Sequence, residues 1–258
     1  MELIRNVQRW GNSSGVLLPK EWLNREVKIV LVERSLNINQ EIFDILSLYL
    51  DDIIGIYITG SYARGEQDDR SDIDIIAISN SVKKEINSGI YNVSIIPLDT
   101  IEKTIKNNPI MILPRLYEAK AITNVQLLNR LKEVKLNKNS FKDFIKDSER
   151  IIEINRGLIQ LDKELKYLES SDLIYSLVLR LRGIYLIRCI LDNQQYSNKD
   201  FLNLIKKSIG EDYAMVYNVY RDIKEDKKSK YQILVKSAQK LLDLLKEEVV
   251  NAKKYSRG

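Results

Sequence analysis

Two periodicities divide the chain. Up to about residue 135, apolar residues fall in short unbroken or alternating stretches bounded by Gly, Asn, Asp and Pro, which predicts strands with intervening helices. Beyond it they recur three and four apart, which predicts helices throughout. Ile53–Thr59, reading IIGIYIT, is a buried strand by this rule, and a second strand opens at Asp72 with DIDIIAIS. Residues 90–97 alternate and predict a third. Asn37, with Gln40 three residues on, forms a capping pattern for a helix whose apolar stripe is Ile38, Ile42, Ile45, Leu46 and Tyr49. A short helix is expected over residues 82–87, before a Ser88-Gly89 turn. Asp99 and Glu102 read as a second capping box, and Asn107-Asn108-Pro109 ends the helix that follows. Residues 112–116 read as a short extended piece and residues 126–134 as a closing helix.

The ends of the chain differ from this middle part. Residues 2–9 alternate as a strand, Trp10-Gly11-Asn12-Ser13-Ser14-Gly15 is turn-rich, and residues 16–19 are a short strand closed by Pro19. A helical turn at residues 20–23 leads to a clear β-patterned run at residues 27–32. After an Asn- and Lys-rich linker at residues 135–140, one long helix carries Phe141, Phe144, Ile145, Ile152, Leu158, Leu165 and Leu168. The next carries Leu173, Ile174, Leu177, Leu181, Ile184, Tyr185 and Leu191, and three more are expected near residues 198–209, 212–224 and 230–252. The fold class is therefore α+β. A small β module (residues 1–35) precedes a mixed-sheet domain (36–137) and an antiparallel helical bundle (138–258).

Composition narrows the chemistry. With 258 residues, 44% hydrophobic and 30% charged, the chain can bury one large core or two to three small ones. No apolar run approaches the ~20 residues of a membrane span, and there is no signal-peptide pattern, so a cytoplasmic protein without a membrane partner is expected. The single cysteine, Cys189, lies in an apolar helical run and reads as core filler. Histidine is absent, which excludes His-based triads, a His general base and His-ligated zinc. Catalysis then falls to carboxylates, hydroxyls, Lys, Arg and a metal. Residues 1–36 hold 6 basic and 4 acidic side chains, residues 37–137 hold 11 and 14, and residues 138–258 hold 24 and 18. An acidic middle between basic flanks suits a metal site beside a polyanion-binding surface.

The candidate chemistry lies in residues 56–78, IYITGSYARGEQDDRSDIDIIAI. Asp72 and Asp74 are two apart at the start of a strand, so their side chains share a face next to the Gly60-Ser61 turn. Two carboxylates ~4 Å apart repel by roughly 4 kcal/mol at an effective dielectric near 20, and the pair asks for a cation. Mg²⁺, or Mn²⁺ in its place, takes one or two protein carboxylates and completes its shell with water and phosphate oxygens. Gly60 allows close approach of backbone to a phosphate, and Ser61 offers an N–H and a hydroxyl.

This stretch resembles the signature of the polymerase-β-like nucleotidyltransferase superfamily: a hydrophobic strand, Gly-Ser, a spacer, then Asp-x-Asp in a second strand. Gly60-Ser61-Tyr62-Ala63-Arg64-Gly65-Glu66 is similar to the minimal nucleotidyltransferases of prokaryotes. The resemblance implies Asp72 and Asp74 as catalytic metal ligands and Gly60, Ser61 and Arg64 as nucleotide-binding residues. It also implies an NTP substrate whose NMP group passes to an acceptor hydroxyl with release of pyrophosphate. The superfamily's third carboxylate falls at Ser94, a departure that removes a charge. The acceptor stays open among a protein, an RNA and a small molecule. The helical part resembles the helical domains of kanamycin-type nucleotidyltransferases and HEPN proteins, although the lack of His argues against HEPN-type ribonuclease action. It holds nine of the fourteen tyrosines, with Arg180, Arg182, Arg188 and Arg221 among them, a combination suited to a phosphate-bearing or aromatic acceptor.

The N-terminal RWGNSSGVLLPKEW resembles the core of AbrB/MazE-like swapped-hairpin modules. That likeness implies a homodimer and, through Arg5, Arg9 and Lys20, binding to DNA; dimerisation alone is the equal alternative. A second reading of the whole chain follows from it, a DNA-binding regulator of antitoxin type carrying a catalytically weak nucleotidyltransferase fold.

Overall fold

The computed structural model describes residues 7–11, 13–29, 37–136 and 139–255, which fall into two compact units, Met1–Ile38 and Asn39–Gly258. In the first unit β1 (Gln8–Trp10) and β2 (Ser13–Gly15) form an antiparallel hairpin with Trp10 opposite Ser13. The strand expected at residues 16–19 gives way to β2, because the tight turn at Gly11 (φ 59°) fixes the register three residues earlier. A single 3-10 turn, Lys20–Trp22, follows. Residues 27–29 are without regular structure, and residues 30–32 of the expected strand lie outside the described residues, as do residues 2–6.

The second unit is built on a five-stranded mixed sheet: β3 (Ile53–Thr59), β4 (Ile73–Ser79), β5 (Lys84–Ser88), β6 (Tyr91–Pro97) and β7 (Lys120–Thr123), in the order β5-β6-β4-β3-β7. Only β4 and β6 run parallel. The central strands β3 and β4 are apolar along nearly their whole length, as strands covered on both faces must be. Helix α1 (Ile38–Leu46) precedes β3, and α2 (Gly60–Arg64) joins it to β4. After the sheet's edge come α3 (Leu98–Asn107), α4 (Leu113–Glu118) and α5 (Val125–Lys132).

Three expectations in this part are corrected. Residues 82–87 hold no helix: Lys84–Ser88 is an edge strand, its Ile86 opposite Val93, closed by a turn at Gly89 (φ 59°). Its exposed Lys84 and Glu85 are the charges that edge strands carry. Residues 112–116 are helical, with Pro114 in the first turn of α4 where its missing N–H is harmless. Asp99 is not a cap, because α3 begins at Leu98 after Pro97; its carboxylate bonds Lys103 and Thr100, and Glu102 pairs with Arg130.

The remaining helices are α6 (Lys142–Leu161), α7 (Asp172–Leu191), α8 (Asn198–Ile209), α9 (Tyr213–Lys224) and α10 (Val235–Tyr255). Helix α10 packs on α6, α7 and α8, and α7 packs on α6 and α9. Helix α7 buries residues on almost every side, among them Leu177, Leu181 and Ile184, which identifies it as the central one. The first long helix stops at Leu161 rather than Leu168, since Leu168 N–H donates to Ile233 O (2.9 Å) and Tyr167 bridges to Leu234. That contact also delays the last helix to Val235. One apolar cluster runs from Ile76 and Ile78 of β4 through Leu113 and Leu128 to Leu181 and Leu241, so sheet and helices share a core. No helix among the described residues is long and apolar enough to cross a membrane.

Candidate functional site

At the end of β3 the chain turns sharply. Thr59 lies opposite Asp74 in the sheet, and the next residue, Gly60, takes φ 71°. A Cβ placed on Gly60 would stand 2.5 Å from Asp74 Oδ2, so both the backbone angle and the approach to the carboxylate require glycine. Gly60 N–H donates to Glu118 Oε1 at 2.7 Å, and the half-buried Ser61 follows it on α2. Gly65, at φ 72°, closes this helix with its N–H on Ser61 O.

Asp72 is exposed just ahead of β4 and Asp74 is part-buried within it, on either side of the fully buried Ile73. Asp74 Oδ2 is the atom turned to Gly60, with Asp72 two residues before it in the chain. Burial pushes the Asp74 carboxyl up from its ordinary value, and the charge of Asp72 adds to this. Arg115 and Lys224 act in the opposite direction, as does a hydrogen bond from the Asn92 side chain. These two cations went unseen in the sequence. Arg115 lies on α4, three residues before Glu118 and so on the same helical face, a placement hidden by reading residues 112–116 as extended. Lys224 comes from the end of α9, more than a hundred residues away in the chain, and no local pattern announces it.

The strand beside Asp74 also corrects the third position. In the parallel β4–β6 register Asp74 faces Asn92, whereas Ser94 faces Ile76. Ser94 donates instead to Glu85 Oε2 (2.8 Å) on the edge strand. The neighbour of the Asp pair is thus an amide, with an oxygen able to ligate but no charge.

Arg64 ties the turn to the helical part. Its Nε donates to Glu66 Oε2 (2.8 Å), its Nη1 donates to Glu118 Oε2, and its guanidinium lies 5.1 Å from the Tyr196 ring centre. Glu66 in turn accepts the N–H of Asn198, the first residue of α8, at 2.9 Å. Burial alone would raise the Glu66 carboxyl, but Arg64 and the Asn198 N–H outweigh it and hold it below its ordinary value. Arg221 of α9 pairs with Asp68 at 2.9 Å and lowers its pKa likewise. Of the N-terminal candidates, Arg5 lies outside the described residues, Arg9 is on β1, and Lys20 is exposed in the 3-10 turn of the first unit.

Among the described residues no three of His, Cys, Asp and Glu gather as a metal cluster. Two carboxylates and a nearby amide nevertheless fit Mg²⁺, which keeps several waters and takes phosphate oxygens from its substrate.

No curated protein matches the chain. Among the solved structures that resemble it are the following two. A nucleotidyltransferase-like protein from Exiguobacterium sibiricum 255-15 is 14% identical with a TM-score of 0.36, over 85% of this chain and 78% of that one. Spectinomycin adenyltransferase AAD(9) from Enterococcus faecialis, solved with ATP and spectinomycin, is 15% identical with a TM-score of 0.46, over 80% of this chain and 97% of that one. Residues 40–160 match the family model described as Nucleotidyltransferase domain, a span that includes Gly60, Ser61, Asp72, Asp74, Asn92, Arg115 and Glu118. Residues 40–160 thus match a nucleotidyltransferase domain, which supports an enzyme that transfers a nucleotidyl group.

Proposed function

We propose that the protein moves an NMP group from an NTP to an acceptor hydroxyl, with Asp72 and Asp74 holding Mg²⁺ or Mn²⁺. The observation that carries this reading is the approach of Gly60 to Asp74, with an added Cβ only 2.5 Å from the carboxylate. The pocket so formed has backbone on one side and an acidic pair on the other, in the field of Arg115 and Lys224. The bound metal supplies charge neutralisation on the phosphates. Gly60 and Ser61 face the triphosphate, and Asn92 offers a neutral oxygen where a third carboxylate is missing. Arg115 and Lys224 offset charge on the phosphates. Arg64 is assigned to nucleotide binding through Glu118, which it holds against the Gly60 N–H. As the acceptor hydroxyl releases its proton to water and its oxygen bonds to the α-phosphorus, the bond from that phosphorus to the oxygen bridging it to the β-phosphorus breaks and pyrophosphate leaves. The protein's contribution is position and electrostatics rather than covalent chemistry.

Calorimetry of Mg²⁺–NTP binding tests the site. Asp72→Asn and Asp74→Asn should each abolish binding while circular dichroism stays unchanged, and unaltered affinity in both would refute the assignment. Incubation with α-labelled NTPs and a cell extract would then reveal whether a protein, an RNA or a small molecule takes the label.

The first unit supports a dimer of this chain. Leu17, Leu23 and Ile29 are 62%, 73% and 72% exposed, more apolar surface than so small a segment can cover alone. A second copy interleaved with the first would bury these side chains, as in the swapped-hairpin modules it resembles. Binding of DNA through Arg5, Arg9 and Lys20 is the companion reading, and an operator-binding regulator would show it without nucleotide turnover.

A further inference from the structure

The arginines of α7 and α9 divide sharply by partner. Arg180 pairs with Asp147 (2.6 Å), Arg188 with Glu248 (2.7 Å) and Arg221 with Asp68 (2.9 Å). Arg182 has no carboxylate among the described residues. Its Nη1 reaches only the Tyr220 hydroxyl, at 3.5 Å, and its Nε is sealed from solvent without a hydrogen-bond partner. Its guanidinium lies 5.2 Å from the Tyr196 ring centre, with Tyr217 and Tyr220 also nearby. A guanidinium cannot shed its charge on burial as a lysine can, and ring faces with one long phenol contact compensate it only in part.

This cation adjoins the site. The Tyr196 ring that it stacks on also carries Arg64, which is joined through Glu118 to Gly60. Tyr220 precedes Arg221, the partner of Asp68, and stands one helical turn before Lys224, whose charge acts on Asp74. Tyr175 and Tyr217 both stack on Tyr220, with ring centres 5.5 and 5.8 Å from it. Tyr217 and Tyr196 donate their hydroxyls to Asn198 Oδ1, at 2.9 and 3.3 Å, which leaves the Tyr220 hydroxyl as the one turned to Arg182.

Resting on the nucleotidyl-transfer reading, we propose that Arg182, framed by Tyr217 and Tyr220, is the anion-binding end of the acceptor site. The acceptor then bears a phosphate or a carboxylate, and neutral or cationic hydroxyl compounds are poor acceptors.

Arginine Nε–H resonances of the ¹⁵N-labelled full chain provide the test. The Arg182 signal is identified by its disappearance in Arg182→Lys. Phenyl phosphate, benzoate, phenol and benzylamine are titrated with and without saturating Mg²⁺ and a non-hydrolysable NTP, and the two anions tell a phosphate site from a carboxylate site. The expected result is a saturable shift of the Arg182 signal by at least one anion, bound about tenfold or more tighter than phenol or benzylamine. Arg182→Gln should lose that anion affinity by about tenfold or more, with Arg182→Lys, which keeps the charge, in between. Both should keep the Mg²⁺–NTP affinity of the parent. No saturable shift, equal affinity for the four probes, or undiminished anion binding in both variants would overturn the proposal. Failure of the transfer reading shows separately, as absence of Mg²⁺–NTP binding to the unsubstituted chain.

Discussion

Replacing Gly60 by alanine separates backbone strain from damage to the site, because Gly65 supplies a matched control. Both glycines are left-handed, at φ 71° and 72°. A Cβ in that region costs about 1–2 kcal/mol, which for a chain of this size lowers the unfolding midpoint by roughly 2–8 °C. The two positions differ in what the new carbon meets. At Gly65 nothing lies within 4 Å, whereas at Gly60 the Asp74 Oδ2 atom is 2.5 Å away. That carboxylate must shift by about 1 Å to reach ordinary contact, and a misplacement of ~1 Å in a reacting constellation can cost on the order of a hundredfold in rate. Gly65→Ala should therefore lose stability and keep Mg²⁺–NTP affinity. Gly60→Ala should lose at least as much stability, bind Mg²⁺–NTP on the order of tenfold more weakly or worse, and transfer about a hundredfold more slowly. Thermal unfolding, calorimetry and single-turnover label transfer read the three quantities. Equal nucleotide affinity in the two variants would refute the placement of Gly60 against the acidic pair.

Further outcomes follow from the ion pairs and from the first unit. Glu118→Gln leaves the buried Arg64, whose side chain is 8% exposed, with Glu66 as its one carboxylate among the described residues, and should destabilise the chain by roughly 3 kcal/mol in denaturant unfolding. The Arg221 hydrogen bond holds Asp68 below its ordinary pKa, and Arg64 with the Asn198 N–H outweighs burial to do the same for Glu66. For a depressed carboxyl the stabilisation is complete above the ordinary carboxylate range and is lost as pH falls through the lower folded value. Thermal stability should thus decline below about pH 4, with a shallower decline in Asp68→Asn. Lys224→Met should weaken Mg²⁺–NTP binding about tenfold with little change in stability, and an unchanged affinity would remove α9 from the nucleotide site. Light scattering should give a dimer for the full chain and a monomer for Leu23→Glu/Ile29→Glu, whereas a dimer that persists places the contact elsewhere.

The parts legible in the sequence are those fixed over short range. Ile53–Thr59 announced a buried strand by its unbroken apolar run, and the Asp72/Asp74 spacing was legible as a candidate acidic pair because extended backbone alternates whatever it packs against. The Gly60-Ser61 turn was readable for a similar reason, since left-handed backbone selects glycine locally. Pairing decided the rest. Lys84–Ser88 has no apolar stripe of its own, and only the antiparallel fit of Ile86 to Val93 makes it a strand. Register moved the neighbour of Asp74 from Ser94 to Asn92, a two-residue slide that keeps the same face and so leaves no trace in the hydrophobic pattern. Glu118 and Lys224 were visible only as charges, and Arg64 and Arg182 as candidate binding residues without partners. Which of them meet a carboxylate, a ring or the acidic pair depends on how α4, α7 and α9 pack beside β3 and β4. That packing is set by one shared apolar core, whose contacts join residues far apart in the chain.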